Sequence, residues 1–267
     1  MTSSTDRPTP TTDPSAVLAD VAAHGVGLLA GALDAAEAAD VRARLYDAAD
    51  QSEARGMATR GYSFDPDTAN RRVFMLFNLD PIFIDLIVRP VARQFVTALL
   101  GESFLISNFS ANITGPGGGS MGLHADQGYV PPPWGPQPFA VNVGWILDDY
   151  TDEVGATRYV PGSHLLGHGP APDEQHDTVP IEAAAGSIMV MDGRLWHQTG
   201  SNRTTDRTRA AAFGYYVLPW IRPQVNWTRA LDPTVAANAD PAFLALLGYD
   251  AGNVAELAAQ LDAAGRP

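Results

Sequence analysis

The segment "GLHADQGY" places His124 and Asp126 two residues apart, and "RLWHQTGSNRTTDRTRAAAFGYY" later supplies His197, Arg207 and Arg209. On an extended strand, alternate residues point to the same side, so His124 and Asp126 would share a face. A second histidine brought in from a later strand completes a set of two imidazoles and one carboxylate on one side of an ion. That set leaves three coordination positions open, the arrangement of non-haem Fe(II) oxygenases. Zinc hydrolases use the same donor types with a single open position, so the metal is not fixed by the donors alone. The remaining histidines, His24, His164, His168 and His176, fall at helix ends or in turns and read as structural or exposed.

An iron with three free positions needs electrons to activate O2, and 2-oxoglutarate supplies them by decarboxylation. Its keto-acid end takes two positions, and its distal carboxylate needs a cation. The planar fork of an arginine binds a carboxylate bidentately. Arg209 opens an alternating strand in which Ala211, Phe213 and Tyr215 share its face. Arg207 and Arg203 lie in the polar "SNRTTDR" turn and read as solvated charges. An inward-facing, unpaired guanidinium is costly, which favours a partner for Arg209. Thr199, two residues past His197, points with the histidine and offers a hydroxyl to the same carboxylate, or else serves the turn.

Helices and strands must carry these groups. "DPSAVLADVAAHG" reads as a helix capped by Asp13, begun by Pro14 and ended by Gly25. "LDAAEAADVRARLYDAADQ" reads as a longer one, with Asp34 and Glu37 at capping-box spacing and Val41, Leu45 and Ala48 on one face. A third helical region, "DPIFIDLIVRPVARQFVTALLG", should break at Pro90 and stop at Gly101. The pattern then turns extended: "FLISNFSANIT", "FAVNVGWILDD", "ATRYVPG", "TVPIEA", "GSIMVMD" and "RAAAFGYYVLP" are strand candidates between Gly/Pro-rich turns. Two short helical patterns return after residue 228. Residues 1–12 have the composition of a disordered leader. Residues 13–267 then form one domain, mainly β with flanking helices, with its β core at about 104–220. An antiparallel barrel or jelly roll in a helical jacket is expected.

Composition sets limits. The chain has 267 residues, 45% of them hydrophobic, with a net charge of −13 and a pI near 4.7. Such an acidic protein repels phosphate backbones and anionic membrane surfaces, so neither nucleic acid nor membrane is an expected partner. There is no cysteine, which removes disulfides, thiolate metal sites, iron–sulfur clusters and cysteine nucleophiles. No apolar run approaches membrane-spanning length, and a cytoplasmic location is expected.

At the level of motif order, the chain resembles the phytanoyl-CoA dioxygenase family of Fe(II)/2-oxoglutarate oxygenases. The likeness runs from about Gly25 to Trp227. It is carried by "NLDPIF", "LLGESFLISN", "HADQ", "WILDDYTDEVGATRYVPGSH" and "GSIMVMDGRLWHQTGSNRTTDRTR", the run "DDYTDEVGATRYVPGSH" being the most specific. The resemblance implies a double-stranded β-helix, the cupin-like jelly roll. It also implies His124, Asp126 and His197 as iron ligands, Arg209 as the 2-oxoglutarate anchor, and Thr199 and Thr157 as hydroxyls near the co-substrate. Halogenating relatives replace the ligand carboxylate with a small residue; Asp126 is present, so halogenation is not expected.

The expected activity is therefore hydroxylation of a C–H bond in a small organic metabolite, consuming O2 and releasing succinate and CO2. Desaturation, epoxidation, ring closure or endoperoxide formation would use the same cofactors. A metal hydrolase or isomerase on a cupin-like barrel would leave Arg209 unexplained, and a non-catalytic carbohydrate-binding jelly roll would not need the ligands. The loops "GMATRGYSFDPDTANRR" and "YVPPPWGPQPF" are candidates for pocket lids, or are surface connectors. Arg71 and Arg72 read as an exposed basic pair, with contact to a substrate carboxylate as the alternative. No sizeable basic patch suggests a coenzyme-A handle, and the sequence leaves the oligomeric state open.

Overall fold

The computed structural model describes residues 7–172, 174 and 176–249. Helix α1 (Pro14–His24) begins where the Asp13 side chain accepts a hydrogen bond from the Ser15 N–H, and it ends at Gly25 with φ of 82°. Helix α2 (Ala35–Ala54) carries the expected reciprocal cap between Asp34 and Glu37 and buries Val41, Leu45 and Ala48. The third helical region divides at Pro90 into α3 (Ile82–Ile87) and α4 (Pro90–Leu100). Helices α5 (Trp227–Ala230), α6 (Pro233–Asn238) and α7 (Pro241–Leu246) follow, with Trp227 and Phe243 packed on Phe77. Residues 1–6 of the expected leader lie outside the described residues. Within it, Thr11 already exchanges backbone hydrogen bonds with Leu28 and Ala30.

Among the described residues nine strands form two antiparallel sheets: β1 (Val26–Leu29), β2 (Asn70–Val73), β3 (Leu105–Thr114), β4 (Ala140–Ile146), β5 (Thr157–Tyr159), β6 (Val179–Pro180), β7 (Ile188–Asp192), β8 (His197–Thr199) and β9 (Arg209–Val217). The major sheet runs β1-β7-β4-β9-β3-β2 and the minor sheet β6-β5-β8. This is a double-stranded β-helix. All six strand candidates lie in these sheets, but the major sheet also recruits β1 and β2 from outside residues 104–220. "VGLL" is too short to show a period and "NRRV" is polar, so each becomes a strand only by pairing with β7 or β3.

Alternation sorts the major sheet's side chains into two layers. The outer face, with Phe109, Ala111 and Ile113 of β3, Val141, Val143 and Trp145 of β4, and Ala210 and Ala212 of β9, packs in one cluster with buried residues of α1 to α4. The inner face, including Met189, Met191, Ile146 and Ala211, packs against Ala156, Tyr159 and Ile181 around the minor sheet. Register sets Thr114 of β3 opposite Arg209, Asn112 opposite Ala211, and Ser110 opposite Phe213. The inner row of β3 (Asn108, Ser110, Asn112, Thr114) is polar throughout, as is that of its neighbour β2 (Asn70, Arg72), whereas β9 adds Ala211 and Phe213. Among the described residues no helix is long and apolar enough to cross a membrane.

His164 is one of the packing histidines. It sits in the 3-10 turn Ser163–Leu165, fully buried, with Nε2 donating to the Ala22 carbonyl at 3.1 Å near the end of α1. A Cβ at Gly25 would lie 2.8 Å from its Nδ1, so only glycine permits this approach. The Nδ1 atom has no hydrogen-bond partner. A proton there would be buried without an acceptor, and desolvation accordingly pushes the His164 pKa below its ordinary value. A depressed histidine pKa means the unfolded chain takes the proton first, so stability is lost as pH falls below about 6.5. In metal-free protein, the urea midpoint should drop between pH 7.5 and 5.5 by more than it does in His164→Gln. Equal drops in the two proteins would contradict this account.

Candidate functional site

His124 and His197 face each other across a two-way backbone bridge: His124 N–H donates to the His197 carbonyl at 3.0 Å, and His197 N–H to that of His124 at 2.8 Å. This bridge extends the minor sheet by one residue beyond β8. The ring centroids are 4.4 Å apart. Each Nδ1 lies 3.0 Å from the carbonyl two residues back, Gly122 for His124 and Leu195 for His197. Donation to those carbonyls fixes the tautomer and turns both Nε2 lone pairs toward the same point.

Asp126 follows the bridge but is not on a strand, as the alternation argument expected. The chain has already entered a turn at that residue. The turn brings its Oδ1 to 3.8 Å from each Nε2. All three donor atoms lie within 4.8 Å of one another, and among the described residues no other group of this kind occurs. Desolvation, then the neighbouring His197, push the His124 pKa down, while the Asp126 charge pulls it partly back. A neutral imidazole is the form that ligates a metal. The nitrogen–nitrogen–oxygen donor set therefore fits a divalent iron.

A cavity of about 150 Å³ opens on these atoms, lined also by Thr157, Thr199, Phe213, Tyr215 and Arg72. Thr157 of β5 and Thr199 of β8 are cross-strand partners and both are buried. Arg209 lies on the inner face of β9, as its phase predicts, and is 1% exposed. Its two terminal nitrogens donate to the Tyr150 hydroxyl (3.0 Å) and the Gly155 carbonyl (2.5 Å), and its Nε has no partner. No carboxylate among the described residues pairs with it. Gly155 holds φ of 81°, and a Cβ there would sit 2.7 Å from the Gly200 carbonyl oxygen. Arg207, in contrast, is 49% exposed and paired with Glu153, and Arg203 with Asp152.

The expectation of an exposed pair at Arg71 and Arg72 is overturned. Their side chains are 11% and 15% exposed and are held by Asp50 with Glu53, and by Asp65. The partners come from α2 and from the loop before β2, which local sequence does not reveal. Arg72 bonds Asp65 at 2.6 Å, touches the Met121 sulfur, and lines the cavity. Burial lowers its pKa, Asp65 supports it, and the neighbouring Arg209 charge lowers it further. Tyr150, Asn142 and Tyr215 also belong to the site: Tyr150 lies inside the "DDYTDE" run and Tyr215 shares the strand phase of Arg209, whereas nothing local marks Asn142. Of the candidate lids, the first reaches the cavity through the Asp65–Arg72 pair, and the second through Tyr129, whose hydroxyl lies 3.1 Å from that of Tyr215. His24, His168 and His176 stay outside the site, and His176 contacts Glu174.

Known proteins extend the comparison. The family model described as phytanoyl-CoA dioxygenase (PhyH) matches residues 22–211. Dioxygenase af480 of Aspergillus fumigatus is 46% identical over 227 residues, covering 84% of this chain and 73% of that protein. Among solved structures, HygX from Streptomyces hygroscopicus, with nickel, 2-oxoglutarate and hygromycin B bound, superposes with a TM-score of 0.62. It has 16% identity and covers 78% of this chain and 88% of its own. The non-heme alpha ketoglutarate dependent epimerase SnoN from nogalamycin biosynthesis gives 0.63, with 22% identity, covering 86% and 93%. Family match, close relative and shared double-stranded β-helix agree: the chain belongs to the phytanoyl-CoA dioxygenase family of Fe(II)- and 2-oxoglutarate-dependent dioxygenases.

Proposed function

We propose that this dioxygenase hydroxylates a C–H bond of a small organic metabolite. In that reaction one oxygen atom of O2 becomes the product hydroxyl and the other enters succinate, while C1 of 2-oxoglutarate leaves as CO2. Iron(II) together with 2-oxoglutarate supplies the oxidising power when both are bound. His124, Asp126 and His197 hold the iron on one side. Arg209 receives the distal carboxylate of 2-oxoglutarate, with the Thr157 and Thr199 hydroxyls close by and Arg72 adding positive charge to the cavity.

One observation carries this reading: a buried guanidinium with no acid partner among the described residues and an orphaned Nε, on the face of β9 that also carries the cavity-lining Phe213 and Tyr215. Such a charge is costly unless an anion joins it. A cupin-like hydrolase would leave it unexplained, and a carbohydrate-binding module would not need the three donor side chains. The rest of the cavity wall combines the uncharged polar side chains of Asn108, Ser110, Asn142 and Gln224 with the thioethers of Met121 and Met191, which suits a neutral substrate. HygX, which binds hygromycin B, and SnoN, from nogalamycin biosynthesis, share this fold and support a biosynthetic small molecule as that substrate.

The test is an aerobic screen of small metabolites for substrate-stimulated succinate release. Chelation should abolish turnover, and Fe(II) should restore it where Zn(II) does not. Full turnover without 2-oxoglutarate would overturn the proposal, and a product lacking the added oxygen would overturn hydroxylation.

A further inference from the structure

The two histidines brace each other through their backbone bridge and their Nδ1 contacts, but Asp126 lies beyond the bridge, in a turn, and needs another hold. Its side-chain Oδ2 accepts a hydrogen bond from Asn142 Nδ2 at 2.9 Å. Its backbone carbonyl accepts one from the Tyr215 hydroxyl at 2.9 Å. Asn142 on β4 and Tyr215 on β9 are direct cross-strand partners, both buried on the inner face of the major sheet. The orientation of the Asn142 amide is fixed by chemistry: an ionised carboxylate only accepts, so the amide nitrogen must face it.

The geometry points to Asn142, backed by Tyr215, as a positioning residue for Asp126. A free carboxylate has two equivalent oxygens and can rotate to present either or both to a metal. The Asn142 bond makes them unequal. Oδ2 is engaged, and Oδ1, the oxygen 3.8 Å from both Nε2 atoms, is left as the single donor. One-oxygen ligation keeps open the positions that co-substrate and O2 require. Asn142 stands among valines on a strand buried along its whole length, and it also lines the cavity. Its own Oδ1 has no partner, so the bond to Asp126 is the one side-chain hydrogen bond that holds it among the described residues. Tyr215 fixes the backbone at the same residue, so the major sheet grips the carboxylate at its side chain and at its root.

This inference rests on the reading of His124, Asp126 and His197 as ligands, and the test separates the two. The probe is Mn(II), titrated into the metal-free chain and followed by electron paramagnetic resonance of the free ion. Asn142→Leu keeps the side chain's approximate size and removes the donor. It should weaken Mn(II) binding about 10- to 100-fold, the range for losing a hydrogen bond to a metal ligand. Repeated in an Asp126→Ala background, Asn142→Leu should change affinity by less than about twofold, because there is no carboxylate left to position. A purely structural role would weaken binding equally in both backgrounds and would overturn the proposal, as would unchanged affinity in the Asp126-containing variant. If Asn142→Leu does not fold, Tyr215→Phe carries the test with the same directions. If Asp126→Ala alone binds Mn(II) as tightly as the parent, the ligand assignment falls, and this inference with it.

Discussion

Arg209→Gln is expected to weaken 2-oxoglutarate binding by about 100-fold or more, while Arg207→Gln changes it by less than about tenfold. The contrast follows from surroundings. Arg209 is buried and its guanidinium lies over the Tyr150 ring and donates only to the neutral oxygens of Tyr150 and Gly155, so a bound carboxylate would be its sole anionic partner. Truncating one member of a buried charge pair commonly costs several kcal/mol, since the other charge stays buried, and about 1.4 kcal/mol corresponds to a factor of ten. Arg207 is exposed and already paired with Glu153, a surface contact of small value. The measurement is an anaerobic titration of 2-oxoglutarate into each Fe(II)-loaded variant, followed by the metal-to-ligand charge-transfer band. Iron affinity should be nearly unchanged in both. A large loss in the Arg207 variant instead would reverse the assignment.

His197→Ala and His124→Ala are each expected to abolish turnover and to lower iron affinity by about two orders of magnitude or more, at or beyond the upper end of what even an outer hydrogen-bonding partner contributes. The fold should persist. Both imidazoles line a cavity, and the bridge between their residues is made by backbone atoms that alanine retains. Asp126→Ala should also abolish hydroxylation while leaving a weak iron site on the two imidazoles. Iron content after anaerobic loading, read beside the melting temperature of the metal-free variant, separates ligand loss from unfolding. A histidine variant with wild-type iron and wild-type activity would remove that residue from the ligand set.

The elements most legible in the sequence are those whose cause is local. Asp13 with Pro14, and Asp34 with Glu37, are caps written within four residues, and both helices begin where those caps stand. Pro90 divides its helical region because the ring cannot continue the preceding turn. Strands β3, β4, β7 and β9 announce themselves by length and apolar content. In contrast, β1, β2 and β8 are three or four residues long and owe their conformation to partners far along the chain. The site divides the same way. Residue types and order bring out His124, Asp126 and His197, and strand phase brings out Arg209 as inward. The turn at Asp126 was hidden, since a strand and a bridge followed by a turn both set positions 124 and 126 on one side. The burial of Arg71 and Arg72 was hidden too, because Asp50, Glu53 and Asp65 neutralise them only after folding.

The polar inner row of β3 has a consequence for how such an enzyme changes over generations. Asn108 and Ser110 line the cavity from a strand that supplies none of the proposed ligands and no co-substrate anchor. Those come from β5, β8, β9, the bridge at His124 and the turn at Asp126. Selection can therefore revise the β3 wall, exchanging one amide or hydroxyl for another, while the oxidising apparatus keeps its inheritance intact. A lineage built this way can adopt new substrates by drift along a single strand, without passing through an ancestor that has lost its chemistry.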